Sequence, residues 1–594
     1  MSAMGVTWDL SDLYGSVADP QLERDLAMAH ERALAFSQTY RGTIRLMEKK
    51  DAAVLAGALS ELESLFEKMD KPAIYASLLH AAKLDDPSHG ALVARTREER
   101  TRINQLLLFF ELEWVVVPEE HFHQLLAEPV LQKYRHYLEH KRVWKPHFLT
   151  EPEEKVIDQK NLTGRAAFVR LFDESVAAIT YPFGEEKLTF QKINAKLYDP
   201  DREARRRAAG GITQGLKEHN RLLTYLFNTL VVDHQYDCEM RSFADPMQPR
   251  HLANETNQAL VDALMTSVEK HYPLVGRYYR LKKKLLGLEE LEDFDRYAPI
   301  RGELPEVAWS DAAKLVRDSY HAFSPQAGEV VDLFFDKHWI DAELRGGKRG
   351  GAFSSSAVPS AHPYILMSYT GKMRDVATLA HELGHGLHQY LSRRMGYLQC
   401  DTPLTTAETA SVFGEMLVFQ KLLGQNQDPK VRLALLCGKI EDAFATVFRQ
   451  VVLTRFEQSL HQARKKEGEL PATRLNELWL NANQAMFGDS VRLGEGYSWW
   501  WSYIGHFIHS PFYCYAYSFG ELLVLALVEK YRQEGQAFAP KYLDMLSRGG
   551  SESPVDLLAR MGIDLTDPGF WNLGLKLLSC MVEEAEKLAA GAVV

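Results

Sequence analysis

The chain is poor in cysteine and has no long apolar run, and each absence excludes a class of protein. Five cysteines occur among 594 residues, with no closely spaced pair, so reduced thiols are expected rather than a disulfide framework. No apolar segment approaches the roughly 18 residues that suggest a membrane-spanning helix. The N-terminal stretch MSAMGVTWDLSDLYG lacks the basic, apolar and small-residue order of a secretory signal. These features predict a cytoplasmic protein with no membrane partner.

Basic residues are also fewer than acidic ones. Lys and Arg total 69 against 80 Asp and Glu, which gives a formal net charge of -11 at pH 7. Such a chain repels the phosphates of nucleic acid, so nucleic acid is not predicted as a partner. Hydrophobic residues make up 46% and charged residues 25%, as is typical of a globular protein. The length favours two or three domains, or one large helical body with a lobe.

Strand signals and internal repeats are scarce, whereas helical periodicity dominates. Helical patterns start at Pro20, after the potential N-cap Asp19, and cover roughly 51–83, 89–112, 202–240 and 256–286. The few other signals are a short hairpin around Gly184, a Gly- and Ser-rich loop at 346–356 and a single strand at 363–369. We predict a mainly α fold with an N-terminal helical lobe, residues 1–195, and a larger C-terminal body, residues 196–594.

A pair of histidines four residues apart stands in the stretch TLAHELGHGLHQYL, residues 378–391. Residues with this spacing share one face of a helix, about 6 Å apart along its axis, so His381 and His385 can converge on one metal ion. Glu382 points elsewhere and is free to hold the attacking water, which is the physical content of the H-E-x-x-H pattern. Asp375 is the predicted N-cap of this helix.

His388 continues the face of His381, but it is not predicted as a ligand. Three ligands along one straight helix would span about 10 Å and could not surround one ion. We interpret His388 as a buried histidine, and the third ligand must come from another element. Gly384 and Gly386 each cost a helix about 1 kcal/mol relative to Ala. They either allow tight packing against a neighbouring helix or leave backbone room for a substrate.

Two acids stand on the next helical pattern, TPLTTAETASVFGEMLVFQKLL. Glu408 and Glu415 are seven residues apart on an otherwise apolar stretch, where an unpaired buried carboxylate would be costly. A metal ion and an imidazole N–H can supply the two partners. We predict Glu408 as the third metal ligand and Glu415 as the residue that orients a ligand histidine. Exchanged roles, or two solvated surface acids, are the alternatives.

These residues predict a hydrolytic site with one zinc ion. Zinc held by His381, His385 and Glu408 would leave a position for water and lower the pKa of that water toward about 7. Glu382 would take a proton as the water attacks a carbonyl carbon and pass it to the departing amine.

The oxyanion formed in this reaction needs further hydrogen-bond donors. His506, Tyr513, Tyr515 and Tyr517 crowd together within the aromatic segment 494–523 and can donate to an oxyanion or to peptide carbonyls. An aromatic stretch is more often part of a core than catalytic, so composition alone leaves the choice open.

With these residues assembled, the chain resembles the oligoendopeptidase F group of the thimet oligopeptidase family of zinc metallopeptidases. The motifs that carry the resemblance are HELGH, ETASVFGE, HPYILMSYTGKMRDVATLAHE and GHFIHSPFYCYAY. The similarity covers roughly residues 110–590. The resemblance implies a two-lobed helical body around a deep central channel that admits short unstructured peptides, with zinc at its floor and a small β element near the active site.

The resemblance also implies roles for individual residues. It assigns the metal to His381, His385 and Glu408, the base to Glu382, and substrate and transition-state contacts to His506, Tyr513 and Tyr517. Tyr515 is an alternative to Tyr513. The segment 346–356 would be a flexible loop beside the cleft, and residues 363–369 a strand whose open edge pairs with a peptide.

The predicted function is zinc-dependent endopeptidase activity on internal bonds of short unstructured oligopeptides. A dipeptidyl carboxypeptidase or carboxypeptidase on the same scaffold is the first alternative, and it would require a positive group that grips a C-terminal carboxylate. An inactive peptide-binding scaffold is a remote alternative, because it predicts the loss of a ligand or of the base. The sequence leaves the oligomeric state and the cleavage preference open.

Overall fold

The computed structural model describes residues 3–300 and 306–591, and it is mainly α-helical as the sequence predicts. From residue 20 to residue 195 the elements are α1 (Pro20–Tyr40), α2 (Ala52–Ala82), α3 (Pro87–Leu107), α4 (Phe109–Val115), α5 (Glu119–Leu126), α6 (Arg135–Val143), α7 (Glu151–Thr163), α8 (Arg165–Ala178), β1 (Tyr181–Phe183), β2 (Glu186–Leu188) and α9 (Phe190–Ala195).

The elements from residue 202 to residue 425 are α10 (Arg202–Glu218), α11 (Asn220–Met240), α12 (Gln248–Ala253), α13 (Gln258–Lys270), α14 (Tyr272–Leu285), α15 (Trp309–Phe323), α16 (Pro325–Asp336), β3 (Ile340–Asp341), β4 (Phe353–Ser355), β5 (Tyr364–Leu366), α17 (Met373–Ser392), α18 (Leu404–Ala407) and α19 (Thr409–Gln425). The remaining elements are α20 (Pro429–Thr446), α21 (Phe448–Glu467), α22 (Ala472–Phe487), α23 (His506–His509), α24 (Tyr515–Glu534), α25 (Phe538–Ser547), α26 (Pro554–Ala559) and α27 (Pro568–Gly591).

Packing groups these elements into two units, each assembled from three segments of the chain. The first unit comprises Met1–Lys145, Leu304–Gln425 and Lys530–Asp564, and the second comprises Pro146–Glu303, Asn426–Glu529 and Leu565–Val594. The segments of the two units alternate along the chain, whereas the sequence analysis divides the chain once, near residue 195. That division stays a prediction.

Local signals placed several elements correctly. Asp19 caps α1 and accepts a hydrogen bond from the backbone N–H of Gln21, and the hairpin β1–β2 turns at Gly184, where φ is +65°.

The long helical pattern over 202–240 forms two helices, because the chain leaves the helical path at His219. The ring Nδ1 of His219 bonds the carbonyl oxygen of Gly215 at 2.9 Å and satisfies a group that an unbroken helix would pair with a backbone N–H.

The first unit contains a three-stranded sheet in the order β3-β5-β4. β5 pairs in parallel with β3 and antiparallel with β4, in the register Ser354 opposite Ile365. The expectation of a single strand with an open edge at 363–369 is therefore wrong, because β5 is the central strand. Its antiparallel neighbour β4 comes from the end of the Gly- and Ser-rich segment, which sequence patterning predicted to be loop.

Within residues 3–300 and 306–591, no helix combines the length and the apolar character needed to cross a membrane.

Candidate active site

Helix α17 of the first unit carries both histidines of the predicted metal pair. The helix begins at Met373 after the N-cap Lys372, so the expectation that Asp375 is the N-cap is wrong by three residues. Asp375 lies in the first turn instead, where its carboxylate accepts hydrogen bonds from the backbone N–H groups of Thr370 at 2.7 Å and Lys372 at 3.2 Å. A carboxylate in this place still satisfies backbone donors that a helix N-terminus leaves open.

The two histidines and Glu408 bring three potential ligand atoms together. The Nε2 atoms of His381 and His385 lie 3.4 Å and 3.3 Å from Oε2 of Glu408, and the three ligand atoms are all within 4.8 Å of one another. Glu408 occupies the single residue between α18 and α19, and Ser411 Oγ donates to its Oε2 at 2.6 Å. Sequence reasoning missed Ser411, although a serine three residues after a glutamate is well spaced for such a contact.

Small residues allow α17 and α19 to approach closely enough to bring Glu408 to the histidines. A Cβ atom added to Gly384 would overlap the carbonyl group of Ala410 and lie 2.6 Å from Cα of Ser411. A Cβ atom on Gly414 of α19 would lie 2.8 Å from the carbonyl oxygen of Ala380. Gly384 therefore allows close packing of the two helices, which is the first of the two reasons that the sequence analysis gives for a glycine here.

Gly384→Ala is expected to destabilise the protein by about 1–3 kcal/mol and to weaken metal binding, because the added methyl group pushes α19 away from α17. Thermal unfolding and metal titration would measure the two effects. Gly424→Ala is the matched control, since a Cβ atom there has nothing within 4 Å. Unchanged stability and metal affinity in Gly384→Ala would contradict the packing explanation.

Neighbouring charges shift the pKa values of His381 and Glu408 in opposite directions. Burial lowers the pKa of His381, but the hydrogen bond from its Nδ1 to Oε1 of Glu415, at 2.6 Å, and nearby carboxylates outweigh burial and raise this pKa to about 9. For Glu408, burial raises the pKa, whereas the neighbouring histidines outweigh it and hold the pKa at about 2.

Glu382 is buried in the first unit next to the two histidines. Its side chain is 6% exposed, and no hydrogen-bond partner for its Oε2 occurs among the residues that the structure describes. Burial raises the pKa of this carboxyl, although His381 and His385 oppose the effect. A buried carboxylate oxygen without a partner is costly unless a bound molecule satisfies it.

His388 lies in the interior, as its place on α17 predicts. The side chain is 7% exposed, and burial lowers its pKa to about 3, so the ring is neutral. His388 does not join the cluster of potential ligand atoms formed by His381, His385 and Glu408.

A second cluster of predicted site residues lies in the second unit, around α23 and the start of α24. His506 Nε2 and the Tyr517 hydroxyl are 3.2 Å apart, and the rings of His506 and Tyr513 stack with centroids 6.0 Å apart. The rings of Tyr513 and Tyr517 meet edge to face at 5.0 Å. Burial, followed by the charges of Arg449 and His509, lowers the pKa of His506, so a neutral imidazole is favoured.

Tyr515 and His509 are close to this cluster in the sequence, but their side chains contact residues outside it. The Tyr515 side chain is fully buried, and its hydroxyl accepts a hydrogen bond from Asn254 Nδ2 at 3.0 Å and lies 3.0 Å from Nδ1 of His251. His509 is exposed and pairs with Asp173 at 2.7 Å. These contacts favour Tyr513 over Tyr515 as the second donor.

Two family models match the chain. The model of peptidase family M3 matches residues 195–577, which is more than half of the sequence, and the model described as oligopeptidase F matches residues 113–181. The chain belongs to peptidase family M3.

Relatives of this M3 peptidase span nearly its whole length. An oligoendopeptidase F homolog of Lactococcus lactis is 25% identical over 98% of this chain and 97% of its own. Oligopeptidase PepF of Bacillus subtilis is 26% identical over 98% of this chain and 87% of its own.

Solved structures share the fold. Oligoendopeptidase-F of Enterococcus faecium covers 96% of this chain and 98% of its own, with a TM-score of 0.70 at 22% identity. A chain from Chlamydophila abortus covers 98% of both chains, with a TM-score of 0.90 at 23% identity. The family assignment makes this protein a metallo-oligopeptidase.

The residues of the first unit fit the metal that a metallopeptidase requires. Two imidazole nitrogens and one carboxylate oxygen form the donor set of catalytic zinc sites, which keep a fourth position for water or substrate. The hydrogen bond from His381 Nδ1 to Glu415 leaves Nε2 to face Glu408 and His385, and such a partner sets the tautomer of a ligand imidazole. The ion itself is not identified by this donor set.

Glu415→Gln is expected to weaken metal binding by about 10–100-fold, because the neutral amide no longer favours the orientation of His381 as strongly. Competition with a chelating dye would measure the metal affinity. Glu329→Gln, on the exposed face of α16, is the matched control and should leave the affinity unchanged. Equal affinities in the two variants would show that Glu415 does not orient a ligand.

Proposed function

We propose that this M3 peptidase is a cytoplasmic zinc endopeptidase that hydrolyses internal peptide bonds of short unstructured oligopeptides. The observation that carries the proposal is the donor set of His381, His385 and Glu408, whose ligand atoms lie within 4.8 Å of one another. The adjacent Glu382 has a buried Oε2 with no hydrogen-bond partner in the described part of the chain. We further propose residues 196–594 as the catalytic domain, which the family M3 match over residues 195–577 supports.

The proposed roles follow from the chemistry of each side chain. When bound by His381, His385 and Glu408, zinc supplies Lewis acidity, which polarises a carbonyl group and makes water a stronger acid. Glu382 orients the attacking water through Oε2 and accepts its proton. Burial raises the pKa of this carboxyl and so favours its protonated form, and the role assigned to that form is delivery of the proton to the departing amine.

His506, Tyr513 and Tyr517 are proposed to donate hydrogen bonds to the substrate and to the developing oxyanion. A neutral imidazole and two phenols can each donate one hydrogen bond without bringing a positive charge. The His506–Tyr517 contact and the stacking of His506 on Tyr513 would hold the three groups ready for a substrate, so that little reorganisation is needed during the reaction.

Tyr513→Phe is expected to lower kcat by on the order of 10²–10³-fold with little change in KM, because a donor to the transition state is lost. Steady-state kinetics on a quenched fluorescent peptide would measure both constants. Tyr515→Phe is the matched control, since its buried hydroxyl bonds Asn254 rather than a substrate. We expect this control to lower the unfolding temperature and keep kcat, and an equal fall of kcat in both variants would argue against the role of Tyr513.

Peptides blocked at both ends distinguish the proposed activity from its alternatives. An endopeptidase cleaves an internally quenched peptide that carries an acetyl group at its N-terminus and an amide at its C-terminus. A carboxypeptidase or dipeptidyl carboxypeptidase cleaves well only the same peptide with a free C-terminal carboxylate. Mass spectrometry of the products identifies the bond that is cut, and binding without cleavage of either peptide would indicate a peptide-binding scaffold.

A further inference from the structure

The turn that precedes Tyr513 contains a residue in an unfavourable backbone conformation. Phe512 has a φ of +57°, in the left-handed region that residues other than glycine seldom adopt. Its ring is buried against the ring of His461, with centroids 4.7 Å apart. The backbone N–H of Phe512 donates a hydrogen bond to Oε1 of Glu457 at 2.8 Å. A side chain from another helix therefore contacts the turn at its strained residue.

Glu457 lies on α21 and is almost completely buried. Its side chain is 1% exposed, and it forms no ion pair with the residues that the structure describes. Its Oε2 likewise has no hydrogen-bond partner within residues 3–300 and 306–591. Burial raises the pKa of the carboxyl to about 8, although the Phe512 N–H and the charge of Arg250 oppose the effect. An acid in this interior is costly, and the hydrogen bond from the Phe512 N–H connects it to the turn.

Other contacts hold the same turn on either side of Tyr513. Arg250 Nε donates to the carbonyl oxygen of Pro511 at 3.3 Å, and its guanidinium carbon lies 5.6 Å from the centre of the Tyr513 ring. Beyond Tyr513, the ring of Tyr515 is fully buried at the start of α24. Tyr513 itself is partly exposed and its ring packs against those of His506 and Tyr517. The backbone around Tyr513 is thus fixed while its side chain remains accessible.

We propose that Glu457 is a positioning residue for Tyr513: by accepting the N–H of Phe512, it holds the left-handed turn that directs the Tyr513 phenol toward the substrate. This inference rests on the proposed role of Tyr513 as a transition-state donor. Glu457 does not itself touch the substrate, because it is buried behind the turn. A loss of the acceptor would let Phe512 relax to negative φ and would rotate the following residue.

The test combines substitutions at Glu457 with Tyr513→Phe in a double-mutant cycle. Glu457→Met removes the acceptor at similar volume, whereas Glu457→Gln keeps an acceptor oxygen for the Phe512 N–H. Glu457→Asp is a milder variant that withdraws the carboxylate by one methylene, and it carries the test if Glu457→Met does not fold. Thr454→Val is the control, because this fully buried hydroxyl on α21 donates to the carbonyl oxygen of Gln450 in its own helix.

We expect Glu457→Met to lower kcat by about tenfold or more, since misplacing a reacting group by about 1 Å can cost about 10²-fold. KM should change by less than about twofold, and Glu457→Gln should retain most of the activity. In the Tyr513→Phe background, Glu457→Met should cause no further loss, because the group it positions is already absent. Thr454→Val should lower only the unfolding temperature.

The possible results separate the inference from the function on which it rests. Losses that multiply in the double variant, or a Glu457→Met enzyme with unchanged kcat, would overturn the positioning role while leaving Tyr513 as a donor. A Tyr513→Phe enzyme with unchanged kcat would overturn the donor role and the inference together. A fall of kcat in Thr454→Val equal to that in Glu457→Met would assign the effect to general loosening of α21.

Discussion

Glu382→Gln is expected to lower kcat by on the order of 10³-fold or more while the metal stays bound, because general-base catalysis contributes about 10²–10⁴-fold. The amide has nearly the shape of the carboxylate but cannot accept a proton from water. Glu382 is not one of the three potential ligands, so the donor set of His381, His385 and Glu408 stays complete. Kinetics on a blocked peptide, together with metal analysis of the purified variant, would measure both properties.

The control for this substitution is a second glutamate changed in the same way. Glu329→Gln alters the charge equally on the exposed face of α16 and should retain full activity. Substitution at Glu382 should also remove the cost of burying a carboxyl whose Oε2 has no partner among the described residues, so the variant should be at least as stable as the parent. Full activity in Glu382→Gln would disprove its role as the base.

Removal of the metal should abolish activity completely, and zinc should restore it. Treatment with phenanthroline is expected to reduce the rate below detection, since the Lewis acid and the acidified water are lost together. The unfolding temperature should also fall, because a ligand that binds only the folded protein stabilises it in proportion to the logarithm of its concentration over Kd. Activity measurements and thermal unfolding before and after zinc addition would test both expectations.

A ligand variant makes the metal experiment specific to the proposed site. His385→Ala removes one nitrogen of the donor set and should give an enzyme that zinc does not reactivate at concentrations sufficient for the parent. His388→Ala is the informative comparison on the same helix, because this buried ring lies outside the ligand cluster. It should reduce stability and still allow reactivation by zinc. Chelator-resistant activity in the parent enzyme would refute a metal-dependent reaction.

Periodicity and spacing were sufficient to predict which residues of the first unit meet. His381 and His385 had to share a face of α17 because helical geometry repeats every 3.6 residues. Glu408 and Glu415 were recognisable because acids on an apolar helix need partners. The prediction of Asp375 as the N-cap of α17 was wrong, since an aspartate can satisfy the open N–H groups either from the cap or from the first turn.

Contacts between distant segments could not be read from the sequence. β5 was recognised as a strand, but its central place depends on β3 and β4, and the latter lies in a segment whose glycines and serines indicate a loop. The contact of Glu457 could not be predicted for a similar reason, because 55 residues separate it from Phe512, whose N–H it accepts. No local pattern distinguishes such an acid from a solvated one.

The sequence by itself determined the helical architecture, the histidine pair that shares one face of α17 and the need of the nearby acids for partners, because each follows from short-range periodicity and from the cost of burying charge. The tertiary structure alone decided which neighbours complete these groups, such as Ala410 against Gly384, and the burial that distinguishes Tyr515 from Tyr513. These contacts join residues from different elements, and their existence depends on how the elements pack.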